Sequence, residues 1–235
     1  MKSGTLYLIP SPLIEDLTTS IDPALIEIIH SLRVFVVEKS KTARQYIKST
    51  IPPYTQQEIT VVELNKHGVT EELDEVFKRL KKSESVGLIS EAGCPGVADP
   101  GADIVAHAHN LGIPVRPLIG PSSILLALMA SGMNGQKFCF HGYLPQDRTA
   151  LAKELQRLEM ESIKFKQTQI WIETPYRNNQ MKEVCLASLK QNTRFCIAAD
   201  LTATDEKIFS GRVGDWTKDK MGELHKIPAV FLLQA

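Results

Sequence analysis

Short apolar runs alternate with amphipathic segments through the first half of the chain, and this alternation limits the fold more than any other feature. Strands are predicted at Thr5–Ile9, Arg33–Glu38, Thr60–Leu64, Val86–Ser90 and Ile113–Leu118. Helices are predicted between them, opening at Asp22-Pro23, over Ser40–Ser49 and Glu71–Lys82, and from Asp99-Pro100 to a stop near Gly112. Strands that alternate with helices form mostly parallel sheets, so we expect an α/β fold.

The pattern changes after Gly120-Pro121. Ser122–Ser131 is predicted as a helix of small residues and leucines, apolar on nearly all sides, and such a helix is expected to be buried. Further strands are predicted at Lys137–Tyr143, Gln169–Glu173, Arg194–Ala199, Lys207–Val213 and Pro228–Leu233, with helices around Leu151–Leu158 and Asn179–Lys190. The last three strands are close in sequence, which favours antiparallel pairing. We therefore predict two α/β domains, residues 1–118 and 119–235.

The composition is that of an ordinary globular protein, not of one that coats nucleic acid through bulk charge. Of 235 residues, 43% are apolar, and 27 basic residues balance 27 acidic ones. The formal charge is −3 over residues 1–116 and +3 over the rest. A random distribution of charged residues over solvated faces explains this difference more simply than a binding patch does. The four cysteines lack zinc-site or CxxC spacing, and no apolar run approaches the ~20 residues that span a bilayer. A cytoplasmic protein with reduced thiols is expected.

The densest group of glycines and prolines directly follows the fourth predicted strand. It reads Ser90-Glu91-Ala92-Gly93-Cys94-Pro95-Gly96-Val97-Ala98-Asp99-Pro100-Gly101. In open α/β sheets, the loops at the carboxyl ends of the strands line the ligand crevice, and glycine lets the backbone approach a ligand closely. The segment therefore predicts a ligand-binding loop. The alternative is a plain connection in which Asp99 only caps a helix.

Three other segments are weaker candidates. Ile119–Ser123 leads into a helix N-terminus, which suits an anion, although Ser122 as a simple helix cap is the plainer explanation. Ile9–Leu13 follows the first strand, and Glu173–Arg177 follows a strand of the second half. Neither GxGxxG nor GxxxxGK[ST] occurs, so dinucleotide and P-loop sites would lack their phosphate cradles. The scattered histidines indicate no metal site.

Taken in order, these segments resemble the tetrapyrrole methylase family, and most closely its branch of bacterial small-subunit ribosomal RNA cytidine 2′-O-methyltransferases. The motifs that carry the resemblance are Gly4–Pro10, Leu88–Gly101, Gly112–Val115, Gly120–Ser123, Phe140–Pro145 and Glu173–Arg177. They extend over nearly the whole chain. The resemblance implies two α/β domains with a cofactor cleft between them, S-adenosylmethionine as methyl donor with S-adenosylhomocysteine as product, and a homodimer.

The resemblance also implies roles for individual residues. The positions that match the cofactor contacts of the family are Pro10, Leu13, Ala92, Gly93, Cys94, Val97, Ala98, Ser122, Ser123, Thr174, Pro228 and Ala229. Methyl transfer needs a nucleophile aligned behind the methyl carbon, and a ribose hydroxyl also benefits from a general base. Glu91 and Asp99 are the candidates for that base. Asp205 and Glu206 are further carboxylates, near Asp200–Thr202, which resembles a strand end of the family.

Several positions depart from the ribosomal RNA branch. Pro12–Leu17 lacks its Gly-Asn, Glu38–Lys41 replaces its Glu-Asp-Thr-Arg, and Asp200–Ala203 lacks its lysine. The candidates for substrate contact are Lys41, Arg44 and Arg177. Three hypotheses stay open: ribose methylation of ribosomal RNA in the small subunit, methylation of a tetrapyrrole or other small molecule, and a cofactor-binding protein without catalysis. RNA binding would weaken steeply with added salt, whereas small-molecule binding would barely respond.

Overall fold

The computed structural model describes residues 3–14, 21–64, 71–216 and 220–235. Residues 15–17, part of one departure from the ribosomal RNA branch, lie outside the described residues. The chain divides into two compact units, Met1–Ser122 and Ser123–Ala235. The division falls a few residues after the predicted boundary at 118, because Gly120 packs against Pro10 of the first unit. In the part of the chain that is described, no helix is long and apolar enough to cross a membrane.

The first unit is built on a fully parallel sheet of five strands. The strands are β1 (Leu6–Ile9), β2 (Val34–Val37), β3 (Thr60–Glu63), β4 (Val86–Ile89) and β5 (Val115–Pro117). They are ordered β3-β2-β4-β1-β5, so β4 lies between β1 and β2 although it follows them in sequence. Every residue of β2 and β4 is buried, as expected of central strands covered on both faces. The predicted parallel α/β arrangement is confirmed.

Four helices connect these strands: α1 (Pro23–Ser31), α2 (Ser40–Ser49), α3 (Glu71–Lys81) and α4 (Gly101–Asn110). The predicted start of α1 is confirmed, because the Asp22 side chain accepts from Ala24 N–H at 2.9 Å. Gly112, at φ 67°, ends the α4 segment in the left-handed conformation. One core cluster packs α3 and α4 on one face of the sheet, and a second packs α1 and α2 on the other.

The second unit has a mixed sheet of five strands. These are β6 (Phe138–Tyr143), β7 (Thr168–Ile172), β8 (Arg194–Ala199), β9 (Lys207–Arg212) and β10 (Ala229–Gln234), ordered β6-β7-β10-β8-β9. Only β6 and β7 pair in parallel; the β7–β10, β10–β8 and β8–β9 pairs are antiparallel. The predicted antiparallel pairing of the last three strands is confirmed.

Three helices accompany this sheet: α5 (Ser123–Ser131), α6 (Arg148–Phe165) and α7 (Asn178–Ser188), the last preceded by a 3₁₀ turn over Pro175–Arg177. The prediction that the helix at Ser122–Ser131 is buried was wrong. Ala127 and Leu128 are buried, but Leu125 is 51% and Met129 is 77% exposed. The reason is that α5 contacts β8, β9 and β10 through one face only, so its opposite face stays exposed whatever its composition.

Candidate active site

The carboxyl edge of the first sheet joins the loops that follow β1 and β4. These strands are neighbours in register, with Ile9 opposite Ile89. Just beyond them, Ser11 N–H donates to Gly93 O at 2.9 Å and Gly93 N–H donates to Ser11 O at 3.0 Å. The Ser11 hydroxyl also donates to Ser90 O at 2.7 Å. Main-chain atoms therefore fix the two loops to each other.

The loop after β4 adopts backbone conformations that side chains rarely allow. Gly93, Gly96 and Ala98 have φ angles of 74°, 83° and 62°. Asp99 Oδ1 accepts from the backbone N–H groups of Gly96 and Gly101, at 2.8 and 2.7 Å. Burial raises the pKa of the Asp99 carboxyl, against the opposing effect of these two bonds. Asp99 therefore closes the loop. The predicted start of the helix was one residue too early: α4 begins at Gly101 with Pro100, and not Asp99, as its N-cap, although the Asp99 carboxylate accepts from the first N–H of the helix.

The loop after β5 packs against the loops after β1 and β4. A Cβ atom on Gly120 would lie 2.2 Å from the Pro10 ring, so only glycine fits there, whereas one on Gly93 would lie 3.3 Å from the flexible Leu13 side chain and 3.5 Å from Pro121 O. Cys94 Sγ donates to Pro121 O at 3.3 Å, and burial raises the pKa of this thiol, which favours its protonated, donating form. The loops after β1, β4 and β5 therefore pack closely together at the carboxyl edge of the first sheet.

Glu91 links the loop after β4 to helix α2. Its carboxylate accepts from the Lys39 ammonium at 2.8 Å and from the Thr42 hydroxyl. Its own backbone N–H donates to Glu38 Oε1 at 2.9 Å. Burial is the largest cause that raises the pKa of Glu38, and the charges of Asp99 and Glu91 add to it. Within the described ranges, no group of three or more His, Cys, Asp or Glu side chains is arranged to hold a metal ion.

An open cavity of about 160 Å³ lies between the loop after β1 and helix α2. Its lining includes Ser11, Pro12, Leu13, Thr42, Gln45, Tyr46 and Glu91. The Tyr46 hydroxyl donates to Pro10 O at 3.0 Å, and burial raises the pKa of Tyr46 to about 12, so it stays a neutral donor. The cavity is thus bordered by hydroxyl, amide and carboxylate groups.

Helix α2 carries basic residues beside this cavity. Lys41 and Lys48 are exposed, and Arg44 is half-buried because its guanidinium donates to Gln56 O at 2.9 Å. No carboxylate occurs between Ser40 and Ser49. This face therefore presents positive charge to the solvent.

In the second unit, the predicted positions around Thr174 and Pro228 are brought to one edge of the sheet. Val230 pairs with Ile172, which places the start of β10 beside the end of β7. Across this edge, Lys226 N–H donates to Pro175 O at 3.0 Å. Thr174, Pro228 and Ala229 lie within or next to these segments, with Ala229 paired to Ala199 of β8. Each group of predicted residues is thus clustered within its own unit.

Arg177 and the acidic segment after β8 have partners of their own. Arg177 forms an ion pair with Glu173 at 3.1 Å, and the Glu173 side chain is only 3% exposed. Burial raises the pKa of Asp200, assisted by the charge of Asp205. Glu206 accepts from Thr202 N–H at 2.9 Å. Arg177 and Glu206 thus already have roles within the fold.

Sequence reasoning missed the cavity, two of the side chains that line it, Thr42 and Tyr46, and the contact of Glu38 with the loop after β4. Glu38 directly follows β2, and its position beside Glu91 depends on β4 being inserted between β1 and β2. Hydrophobic periodicity identifies strands but does not order them. The one available signal was the carboxylate at the end of a fully apolar strand.

Comparison with known proteins shows the family of this chain. The model of the family described as "Tetrapyrrole (Corrin/Porphyrin) Methylases" matches residues 16–217. Proteins named "Ribosomal RNA small subunit methyltransferase I" from Buchnera aphidicola subsp. Schizaphis graminum and from Bacillus subtilis are 26% and 28% identical to this chain. The alignments cover 99% and 90% of this chain, and 79% and 68% of those proteins. The protein of that name from Escherichia coli O157:H7 is 26% identical over 93% of this chain and 73% of its own length.

Two solved structures share the fold. The methyltransferase CobJ superposes with a TM-score of 0.60 at 17% identity, covering all of this chain and 94% of CobJ. Uroporphyrin-III-C-methyltransferase from Thermus thermophilus superposes with a TM-score of 0.53 at 16% identity, covering 98% of this chain and 92% of that one. At such identities the likeness concerns the fold alone.

Proposed function

Because this chain belongs to the tetrapyrrole (corrin/porphyrin) methylase family, we propose that it transfers a methyl group from S-adenosylmethionine to a ribose hydroxyl of small-subunit ribosomal RNA. One observation carries the proposal: three relatives named as ribosomal RNA small subunit methyltransferases match between 90% and 99% of this chain. The likeness to CobJ and to uroporphyrin-III-C-methyltransferase is one of fold, and it does not favour a tetrapyrrole acceptor. A product of S-adenosylhomocysteine follows from the same chemistry.

The first unit fits this cofactor, which contains no phosphate and supplies a methyl group on a positively charged sulfur. Residues 92–98 include no charged side chain, so the loop offers backbone amides and carbonyls instead of a phosphate cradle. The residues of the first unit that would hold the cofactor are Pro10, Leu13, Ala92, Gly93, Cys94, Val97 and Ala98. Contacts from Ser122, Ser123, Thr174, Pro228 and Ala229, and the cleft they imply, stay predictions.

In this proposal, Glu91 and Asp99 act by positioning the loop. Asp99 Oδ1 is already occupied by two backbone N–H groups. Glu91 is held by Lys39 and Thr42, so it ties the loop after β4 to the wall of the cavity. Alignment of donor and acceptor supplies much of the rate of a methyl transfer, and a rigid loop supports that alignment. Their candidacy as general base stays a prediction.

The basic face of α2 supports RNA as the acceptor. Lys41, Arg44 and Lys48 lie at spacings of three and four residues, which places them on one side of the helix. Phosphate groups are bound by such clustered cations even when the net charge of the protein is zero. Cytoplasmic location and a homodimer belong to the same proposal, and light scattering measures the dimer.

Transfer of isotope from methyl-labelled S-adenosylmethionine tests the function. Small ribosomal subunits from a strain that lacks this protein are the acceptor, and subunits from the parent strain are the control. We expect label in a ribose of the small-subunit RNA of the first sample and little in the second, which is already methylated. Label in neither sample, with an active cofactor-binding protein, would reject the proposal.

A further inference from the structure

An exposed pair of aromatic rings lies at the edge of the second sheet, outside the residues assigned above to the cofactor. Tyr176, in the 3₁₀ turn before α7, is 68% exposed. His225, in the segment before β10, is also exposed. Their ring centroids are 5.7 Å apart with an interplanar angle of 72°, an edge-to-face contact. The pair thus offers aromatic surface to the solvent at the ends of β7 and β10.

The segment that carries His225 is firmly anchored to the start of α7. Asn178, fully buried, donates from Nδ2 to Ile227 O at 2.6 Å. Asn179 Oδ1 accepts from Leu224 N–H at 3.0 Å, and the Leu224 side chain is buried in the core. Lys182 Nζ donates to Gly222 O at 2.6 Å. The two rings are therefore held on a rigid base.

Lys226 is the exposed cation directly beside the pair, since it follows His225 in the chain. Arg177, in the adjoining turn, is ion-paired with Glu173, and Lys182, in α7, donates to Gly222 O. Glu223 is the acidic residue of the segment, and its carboxylate accepts a hydrogen bond from Asn179. Aromatic faces beside cations are the combination that proteins use to stack bases and neutralise phosphates of single-stranded nucleic acid.

We propose that Tyr176 and His225 form a stacking platform for an unpaired base of the RNA substrate, with Lys226 on the adjacent phosphate. The inference rests on the proposed function and names a second contact for the same substrate. The adenine of S-adenosylmethionine is the other base that the rings could stack. The neighbouring cations favour RNA, because the cofactor has no phosphate for Lys226 to bind.

Tyr176→Ala and Tyr176→Phe test the platform with two probes, a short fluorescein-labelled single-stranded RNA and S-adenosylmethionine. Stacking on an aromatic ring is lost in the alanine variant and kept in the phenylalanine variant. We expect Tyr176→Ala to weaken RNA binding about tenfold, with cofactor affinity and melting temperature unchanged. Tyr176→Phe should bind RNA as the wild type does. Phe165→Ala removes another exposed ring of the second unit and should bind RNA normally.

Unchanged RNA affinity in Tyr176→Ala would overturn the platform, and so would an equal loss for Phe165→Ala. A loss of cofactor affinity with RNA affinity intact would assign the rings to adenine instead. Lys226→Gln should lower the salt dependence of RNA binding without changing cofactor affinity. Failure of the proposed function would be seen in a different experiment. In that case the wild-type protein would transfer no label to ribosomal RNA, whatever its affinity for the oligonucleotide.

Discussion

The two units have sheets of five strands each but join the segments of their candidate sites in different ways. The first sheet is entirely parallel, so the loops that follow β1 and β4 leave at one edge, where main-chain hydrogen bonds between Ser11 and Gly93 join them. In the second sheet, β7 ends where β10 begins, and side chains of Asn178 and Asn179 join the two segments. The two loops of the first unit are thus joined through their backbones, whereas in the second unit asparagine side chains add to the main-chain bond between Lys226 and Pro175.

The largest effect is expected where the backbones approach most closely. Gly120→Ala would place a Cβ atom 2.2 Å from the Pro10 ring, so the two loops must move apart. We expect a loss of about 1–3 kcal/mol in the free energy of unfolding, together with weaker cofactor binding. Gly135→Ala, in the second unit, meets nothing within 4 Å and should leave both quantities unchanged. Urea denaturation and calorimetry measure them; equal effects of the two variants would contradict the comparison.

A smaller and more selective effect is expected at Gly93. Gly93 and Gly112 both have positive φ, at 74° and 67°, so alanine at either costs roughly 1–2 kcal/mol of stability. Only at Gly93 does the new Cβ atom also meet Leu13, at 3.3 Å, whereas nothing lies within 4 Å at Gly112. We expect Gly93→Ala to weaken S-adenosylmethionine binding about tenfold and Gly112→Ala to leave it unchanged. If calorimetry finds the same affinity for both, the loop after β4 is only a connection.

Replacement of Glu91 separates positioning from proton transfer. Glu91→Ala loses the contacts with Lys39 and Thr42, and we expect kcat to fall about tenfold. Glu91→Gln keeps a side-chain oxygen for Thr42 and should retain most of kcat across the pH range. If Glu91 were the general base, the glutamine variant would lose about 100-fold or more and its pH profile would change.

The smallest effect is a change in pH dependence. The pKa of Asp99 is higher in the folded state than its ordinary value of 3.8, so ionisation of Asp99 opposes folding. Its contribution to the free energy of unfolding is fully present below pH 3.8 and is lost as the pH rises through the folded-state pKa. Asp99→Asn keeps an oxygen for the N–H groups of Gly96 and Gly101 but has no charge. We expect the variant to gain stability relative to wild type as pH rises from about 3.8 toward neutrality. A relative stability that is constant with pH would show that Asp99 is not desolvated.

Much of this fold could be predicted from the sequence. Short runs of β-branched and aromatic residues such as Val34–Val37 favour strands covered on both faces. Asp22-Pro23 and Gly112 start and end helices through their own backbone chemistry. The exposed face of α5 could not be predicted, because burial depends on how many neighbours a helix packs against and not on its own residues.

Only part of the candidate site could be predicted, because its contacts also depend on which elements of the fold lie side by side. Glycines and prolines marked the loop 90–101, since they limit the local backbone conformation. The partners of that loop, Thr42 and Glu38, come from elements whose neighbours are set by the order of strands in the sheet. Likewise, Tyr176 and His225 are distant in sequence and meet only because β7 and β10 pair.

The central claim is that main-chain atoms of the first unit bind the cofactor. Backbone amide hydrogen exchange with and without S-adenosylmethionine tests this claim most directly. We expect saturating cofactor to slow exchange in residues 10–14 and 92–98, and Gly93→Ala to need about ten times more cofactor for the same protection. Cofactor binding that calorimetry detects, without slower exchange in either segment, would contradict the account.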